Sequence, residues 1–172
     1  MTIERRAAVT SKGQPMTVIG PKLEVGDKAP NATLVANDGS TVSLDDYAGK
    51  LRLISVVFSL ETSICDLQTR RFNEEAANLG SDAVVLTIST DLPMAQKRWC
   101  GAAGIDRVIT LSDHRLMSFG DAYGTHIKEL RMEQRSIFVI DKEGIIRYVE
   151  YVPAVGQHPD YDKALAAAKA LR

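Results

Sequence analysis

Across residues 51–58 nearly every position is apolar and many are β-branched, a run that suits a strand covered on both faces inside a sheet. After a mixed, turn-like stretch at 59–64, Leu67, Arg71, Phe72, Ala76 and Leu79 recur at near-helical spacing, which predicts a helix opening at Cys65. Residues 83–88 read as a second buried strand, and Pro93 opens a helical stretch carrying Ala95, Trp99, Cys100 and Ala103. A third strand is predicted at 108–111 and a short helix at 116–123. Two further strands, 136–140 and 145–151, flank the turn Asp141-Lys142-Glu143-Gly144. Residues 160–172 place Tyr161, Leu165, Ala168 and Leu171 on one face of a closing amphipathic helix. From Leu51 the order is therefore β-α-β-α-β-α-β-β-α. Upstream, 7–10 and 16–19 flank Lys12-Gly13-Gln14-Pro15 as a predicted hairpin, and Asn37-Asp38-Gly39-Ser40 divides 32–35 from 41–44.

Length adds the expectation of one compact domain over residues 1–172, and 45% hydrophobic with 25% charged residues excludes disorder, collagen and coiled coil. Lys and Arg number 21 against 22 Asp and Glu, with no basic block, so nucleic acid is not expected as a partner. The longest apolar run falls far short of a membrane span, and the first ten residues do not read as a secretory signal. A cytoplasmic protein is expected, with no membrane partner.

Two cysteines, Cys65 and Cys100, are too few for a disulfide scaffold, and His114, His126 and His158 are scattered without zinc-ligand spacing. No phosphate loop, dinucleotide fingerprint or serine-hydrolase elbow is present. The thiols are then either small buried hydrophobes or the chemistry. At a strand-to-helix turn Cys65 meets unpaired backbone N–H groups and the positive end of a helix dipole, both of which favour thiolate over thiol. Thr62 stands three residues earlier, where a thioredoxin-type enzyme would carry a second cysteine, which excludes a local C-x-x-C exchange. Thr62 is either an ordinary helix cap or a hydroxyl available to the thiolate or an incoming oxygen. Arg70 and Arg71 read as a solvated helix face, His114 as a loop or cap residue, and Trp99 as packing.

Several motifs in order carry a resemblance: Lys12-Gly13-Gln14-Pro15-Met16-Thr17-Val18-Ile19-Gly20, Gln68-Thr69-Arg70-Arg71-Phe72-Asn73, the run from Asp91-Leu92-Pro93 to Trp99-Cys100, and Ser112-Asp113-His114-Arg115 before Phe119-Gly120. Over nearly its whole length the chain resembles the thiol peroxidases, bacterial atypical two-cysteine peroxiredoxins. The resemblance implies an α/β, thioredoxin-like fold, a central mixed sheet flanked by helices with an N-terminal β-hairpin extension. It implies Cys65 as the peroxidatic cysteine, Cys100 as the resolving one, Thr62 as a hydroxyl holding the peroxide and Arg135, in Gln134-Arg135-Ser136, as the active-site arginine. It further implies an intramolecular Cys65–Cys100 disulfide that needs local unwinding, a homodimer, thioredoxin as reductant, and no metal or organic cofactor. One departure stands out: the family's proline seven residues before the peroxidatic cysteine is here Phe58, and Glu61 replaces an aspartate. Proline fixes a loop in a way phenylalanine does not. Phe58 therefore leaves a second reading, a non-catalytic redox sensor or binding module using the same disulfide switch. Within the enzymatic reading, an aromatic rim is expected to favour bulkier organic hydroperoxides.

Overall fold

The computed structural model describes residues 2–172. Its strands are β1 (Glu4–Ser11), β2 (Gln14–Ile19), β3 (Thr33–Val35), β4 (Thr41–Ser43), β5 (Leu51–Val56), β6 (Ala83–Ser89), β7 (Ile109–Ser112), β8 (His126–Ile127), β9 (Met132–Glu133), β10 (Ser136–Ile140) and β11 (Ile146–Tyr151). Its helices are α1 (Ser63–Ala76), α2 (Pro93–Ala103), α3 (Ser118–Tyr123) and α4 (Tyr161–Lys169).

Seven strands form one sheet in the order β11-β10-β5-β6-β7-β3-β4. β5, β6 and β7 run parallel, joined by α1 and α2 as crossovers, while β10 returns antiparallel beside β5, so the sheet is mixed. All six residues of β5 are buried, as its apolar run requires. Its period of two divides the core: Ile54 and Val56 face a cluster with Leu86, Ile88, Phe119, Tyr123 and Phe138, and Leu51 and Leu53 face another with Phe72, Leu79, Val85 and Leu165. Thus α3 covers one face and α1 and α4 the other. The strand closes at Val56 rather than Phe58, although Val57 still donates its N–H to Ile88 O at 2.9 Å.

The hairpin turns at Lys12 and Gly13, with φ of 50° and 77°, and Ser11 pairs with Gln14. Two residues at positive φ are what a tight hairpin demands, so Gln14 and Pro15 belong to β2 and not to the turn. β8 and β9, two residues each, are too short to show any periodicity, yet they extend the hairpin into a second sheet ordered β1-β2-β8-β9. α1 also departs from expectation. Leu67 is 55% exposed, and the buried face is Cys65, Gln68, Thr69 and Phe72. α3 begins two residues later than its pattern, because Met117 adopts φ of 51° and the Asp113 carboxylate accepts the N–H groups of Phe119 (3.0 Å) and Gly120 (2.8 Å). α4 follows its pattern, with the Asp160 side chain accepting from Lys163 N at 3.1 Å as its cap.

Beside that α3 cap, Glu133 is fully buried and accepts a hydrogen bond from Thr125 Oγ1. Burial, then the neighbouring Asp113 carboxylate, push the Glu133 acid well above the usual carboxylate range, so the fold holds a proton that the unfolded chain releases near its ordinary value. Its contribution is complete below that ordinary range and is lost as pH rises toward the folded value. Glu133→Gln keeps the shape and a donor without the titration. Urea midpoints should fall more steeply for the parent than for the variant between about pH 5 and about pH 8; equal slopes would show that Glu133 takes up no proton on folding.

Candidate active site

The site forms where β5 hands the chain to α1. Thr62 occupies the helix N-cap with an extended backbone, φ −94° and ψ 146°, but its hydroxyl does not cap the helix. Instead Oγ1 donates to Ser59 O at 2.9 Å. Cys65 is the third helical residue and fully buried, so its backbone N–H belongs to the first turn, which has no preceding carbonyls within the helix.

Arg135 reaches this point from 70 positions away because β10 pairs with β5 with Ser136 opposite Val56, which carries the residue before Ser136 to the end of β5 where α1 starts. The residue is 1% exposed, and its guanidinium donates Nη1 to Cys65 Sγ at 3.1 Å and to Gln68 Oε1 at 2.8 Å, and Nη2 to Val155 O at 2.8 Å. Arg135 therefore places a charged donor on the sulfur, supporting a nucleophilic sulfur. Gln68 is held in turn, its Nε2 donating to Ser55 Oγ at 2.7 Å. Sequence reasoning missed Gln68. Its only signal was a polar side chain one helical turn after the cysteine, on the face that packs inward.

Above Cys65 opens a cleft of about 740 Å³ lined by Phe58, Thr62, Ile64 and Arg135, with Met16 from the hairpin and Leu130 from the β8–β9 connection as its outer wall. Phe58 packs both on the hairpin core of Val9, Val18 and Ile127 and on the group formed by Val57, Leu60 and Cys65. Three of the four expected residues, Thr62, Cys65 and Arg135, are thus brought together.

Cys100 is not brought to them. It is half-buried on α2 with its sulfur 3.6 Å from Thr110 Oγ1 on β7, and both cysteines are free thiols. Burial pushes the Cys100 thiol up, partly offset by Thr110. Trp99, about 100° away around the helix, packs on the Val57, Leu60 and Cys65 group instead. Arg70 pairs with Asp66, Arg71 with Asp162 at 3.2 Å, and His114 lines a separate hollow with Leu92 and Met94. Among the described residues no three His, Cys, Asp or Glu side chains gather as a metal site, and no helix is long and apolar enough to cross a membrane.

The Redoxin family model matches residues 24–165. A thiol peroxidase from Halalkalibacterium halodurans is 60% identical over 165 residues, covering 95% of this chain and 98% of its own. This chain belongs to the thiol peroxidase family. A thiol peroxidase from Bacillus subtilis is 56% identical, covering 96% of this chain and 98% of its own. The crystal structure of a peroxiredoxin-like protein from Aquifex aeolicus superposes with a TM-score of 0.89 at 36% identity, covering 97% of this chain and 99% of that one. The thioredoxin-like α/β fold and a peroxiredoxin-type enzyme follow for this family member.

Replacing Gln68 by Leu leaves a buried guanidinium short of one acceptor and Ser55 without its partner. Urea unfolding of Gln68→Leu should show a loss of about 2–3 kcal/mol; a change under about 0.5 kcal/mol would mean that Gln68 does not hold Arg135.

Proposed function

We propose that this thiol peroxidase reduces hydrogen peroxide and organic hydroperoxides through a Cys65 sulfenic acid and a Cys65–Cys100 disulfide that thioredoxin recycles. The observation that carries the reading is the bond to the buried Cys65 Sγ from Nη1 of Arg135, a residue that lines the apolar cleft. The Cys65 thiolate attacks the terminal peroxide oxygen. The O–O bond breaks, and the leaving oxygen takes a proton and departs as water or alcohol, leaving Cys65–SOH. The Arg135 guanidinium is the donor for the oxygens of that breaking bond, and Thr62 Oγ1 at the cleft wall, its own proton on Ser59 O, accepts the peroxide O–H.

Cys100 then attacks the sulfenic sulfur, water leaves, and the disulfide forms. Because the two thiols have different neighbours, this step requires α2 to give way around Trp99 and Cys100. α2 is suited to that. Only Pro93 and Gln96 on it are buried, and it ends at Gly104 in a left-handed conformation. Leaving its buried position also relieves the burial that raises the Cys100 thiol. A dithiol reductant of the thioredoxin type returns both cysteines to thiols and is itself oxidised, which fits a reducing cytoplasm. No metal or organic cofactor enters any step. Exposed Leu92 and Met94, beside His114 and Arg115, supply an apolar surface for a second copy of the chain in a homodimer.

Phe58 fills the rim that the cleft offers to a bulky substituent, so the replaced proline supports organic hydroperoxide use rather than loss of catalysis. With thioredoxin, thioredoxin reductase and NADPH, cumene hydroperoxide should be consumed over many turnovers and faster than hydrogen peroxide. Cys65→Ser should abolish consumption, and Cys100→Ser should stop it after about one equivalent. A single equivalent consumed by the parent would point to a switch instead, and turnover surviving Cys65→Ser would remove Cys65 from the chemistry.

A further inference from the structure

The loop at 57–62 carries the cleft's rim and the helix cap, yet its anchor lies outside the residues assigned so far. Asp91, two residues before α2 begins, turns its carboxylate onto this loop. Oδ1 accepts from Ser59 Oγ at 2.7 Å, and Oδ2 accepts from Leu60 N at 2.8 Å and from Ser89 Oγ at 2.7 Å. Ser59 passes the restraint on. Its Oγ accepts from Glu61 N at 3.2 Å, and its carbonyl accepts both Thr62 N at 3.1 Å and Thr62 Oγ1 at 2.9 Å. A chain of hydrogen bonds therefore runs from Asp91 through Ser59 to Thr62 at the start of the Cys65 helix.

The far side of Asp91 is fixed to the sheet. Its N–H meets Ser89 Oγ at 3.2 Å, and its carbonyl accepts from Ser112 Oγ. Buried Gln96, in the first turn of α2, donates to Ser89 Oγ and Leu111 O, each at 3.0 Å. The N-terminal end of α2 is thus tied to β6 and β7, whereas its other half meets the same loop through looser contacts. These are the exposed Arg98–Glu61 pair at 3.2 Å and Trp99 against Leu60.

We propose that Asp91 is the positioning residue for the peroxide step, holding loop 57–62 and the Thr62 hydroxyl in place over Cys65 while leaving the Cys100 half of α2 free to move. The inference rests on the peroxidase reading above. Hydrogen bonds to a carboxylate are stronger than neutral ones, and two from the loop, with a third fixing the same carboxylate to β6, define the loop's position more tightly than the Thr62 side-chain bond to Ser59 does. Asp91 touches no reacting atom, so its effect passes through Ser59 and Thr62. An asparagine at 91 can still accept from Leu60 N–H with its oxygen and donate to Ser59 Oγ with its amide, so it keeps the restraint that alanine removes.

Trp99, the single tryptophan, lies against the Cys65 group and reports both chemical steps by stopped-flow fluorescence. Asp91→Ala and Ser59→Ala should slow the second-order peroxide step roughly 10–100-fold, and Asp91→Asn should recover most of that loss. The first-order disulfide step should be unchanged or faster in all three. Iodoacetamide should alkylate Cys65 faster in Asp91→Ala than in the parent, because the freed loop uncovers a buried thiol; this readout needs no peroxide. A parent that reacts with peroxide no faster than Asp91→Ala and Ser59→Ala overturns the inference and leaves the peroxidase reading standing. Equal slowing of both steps that Asn does not relieve also overturns it, as the mark of general destabilisation. A parent inert to peroxide overturns the peroxidase reading, and the positioning role of Asp91 with it.

Discussion

An arginine with only 1% of its surface exposed is the constraint around which the site is arranged. A charge out of water is costly unless its protons find acceptors, and Arg135 finds Cys65 Sγ, Gln68 Oε1 and Val155 O, with only Nε left unpartnered. The acceptors come from two parts of the fold. The sulfur and Gln68 lie on successive turns of α1, and Val155 lies in the segment after β11. The register that sets Ser136 against Val56 delivers the arginine to the end of β5. A slip of one residue would turn the side chain to the opposite face of the sheet and leave the pocket without its charge. The parallel sheet, the start of α1 and the β10 return are in this sense a holder for one contact between a cation and a sulfur.

The second sheet gives that contact its surroundings. Without β1, β2 and the β8–β9 turn, Phe58 and Arg135 would face solvent; with them, Met16 and Leu130 close an apolar cleft in which charge–dipole interactions are stronger than in water. The sheet docks tightly near its base. Arg5 donates to Gly20 O at 3.0 Å and to Gly124 O at 2.5 Å, and its guanidinium lies 5.4 Å from the Tyr151 ring centre. Gly124, at φ of +69°, has Pro21 O only 1.9 Å from where a Cβ would stand, so the backbones approach where no other residue fits.

The sequence made the central sheet legible because β5, β6 and β10 are apolar runs bounded by turn residues; it also located the hairpin, though with a four-residue turn at Lys12-Gly13-Gln14-Pro15 where the structure turns on Lys12 and Gly13 alone. The place of Cys65 at a strand-to-helix turn followed from an apolar run to 58, a turn-like stretch at 59–64 and helical spacing beyond it, although α1 opens at Ser63, two residues before Cys65. What stayed hidden was pairing at long range. Nothing local in residues 126–133 says that they complete a sheet with β2, because two-residue strands carry no period. The buried face of α1 was misread for a related reason. Gln68 and Thr69 are polar but satisfied inside, Gln68 by Ser55 and Arg135, Thr69 by the Cys65 carbonyl at 2.8 Å, while Leu67 is left outside. Hydrophobic pattern found Phe72 on this face but could not place Gln68 and Thr69 there, because their burial depends on hydrogen bonds rather than on apolarity. The resemblance supplied Arg135, Thr62 and the two thiols; in the structure Arg135 bonds Cys65 Sγ and shares the cleft lining with Thr62, while Cys100 lies against Thr110.

The most direct test of this account uses the Cys100→Ser background, in which oxidation stops at Cys65. One equivalent of cumene hydroperoxide is added to the protein with and without Arg135→Lys, and sulfenic acid at Cys65 is followed by trapping and mass spectrometry. Lysine keeps the charge but cannot serve sulfur, Gln68 and Val155 with one planar fork, so the rate of sulfenic acid formation should fall roughly 100-fold or more. An unchanged rate in Arg135→Lys would contradict the claim that the buried guanidinium organises the site.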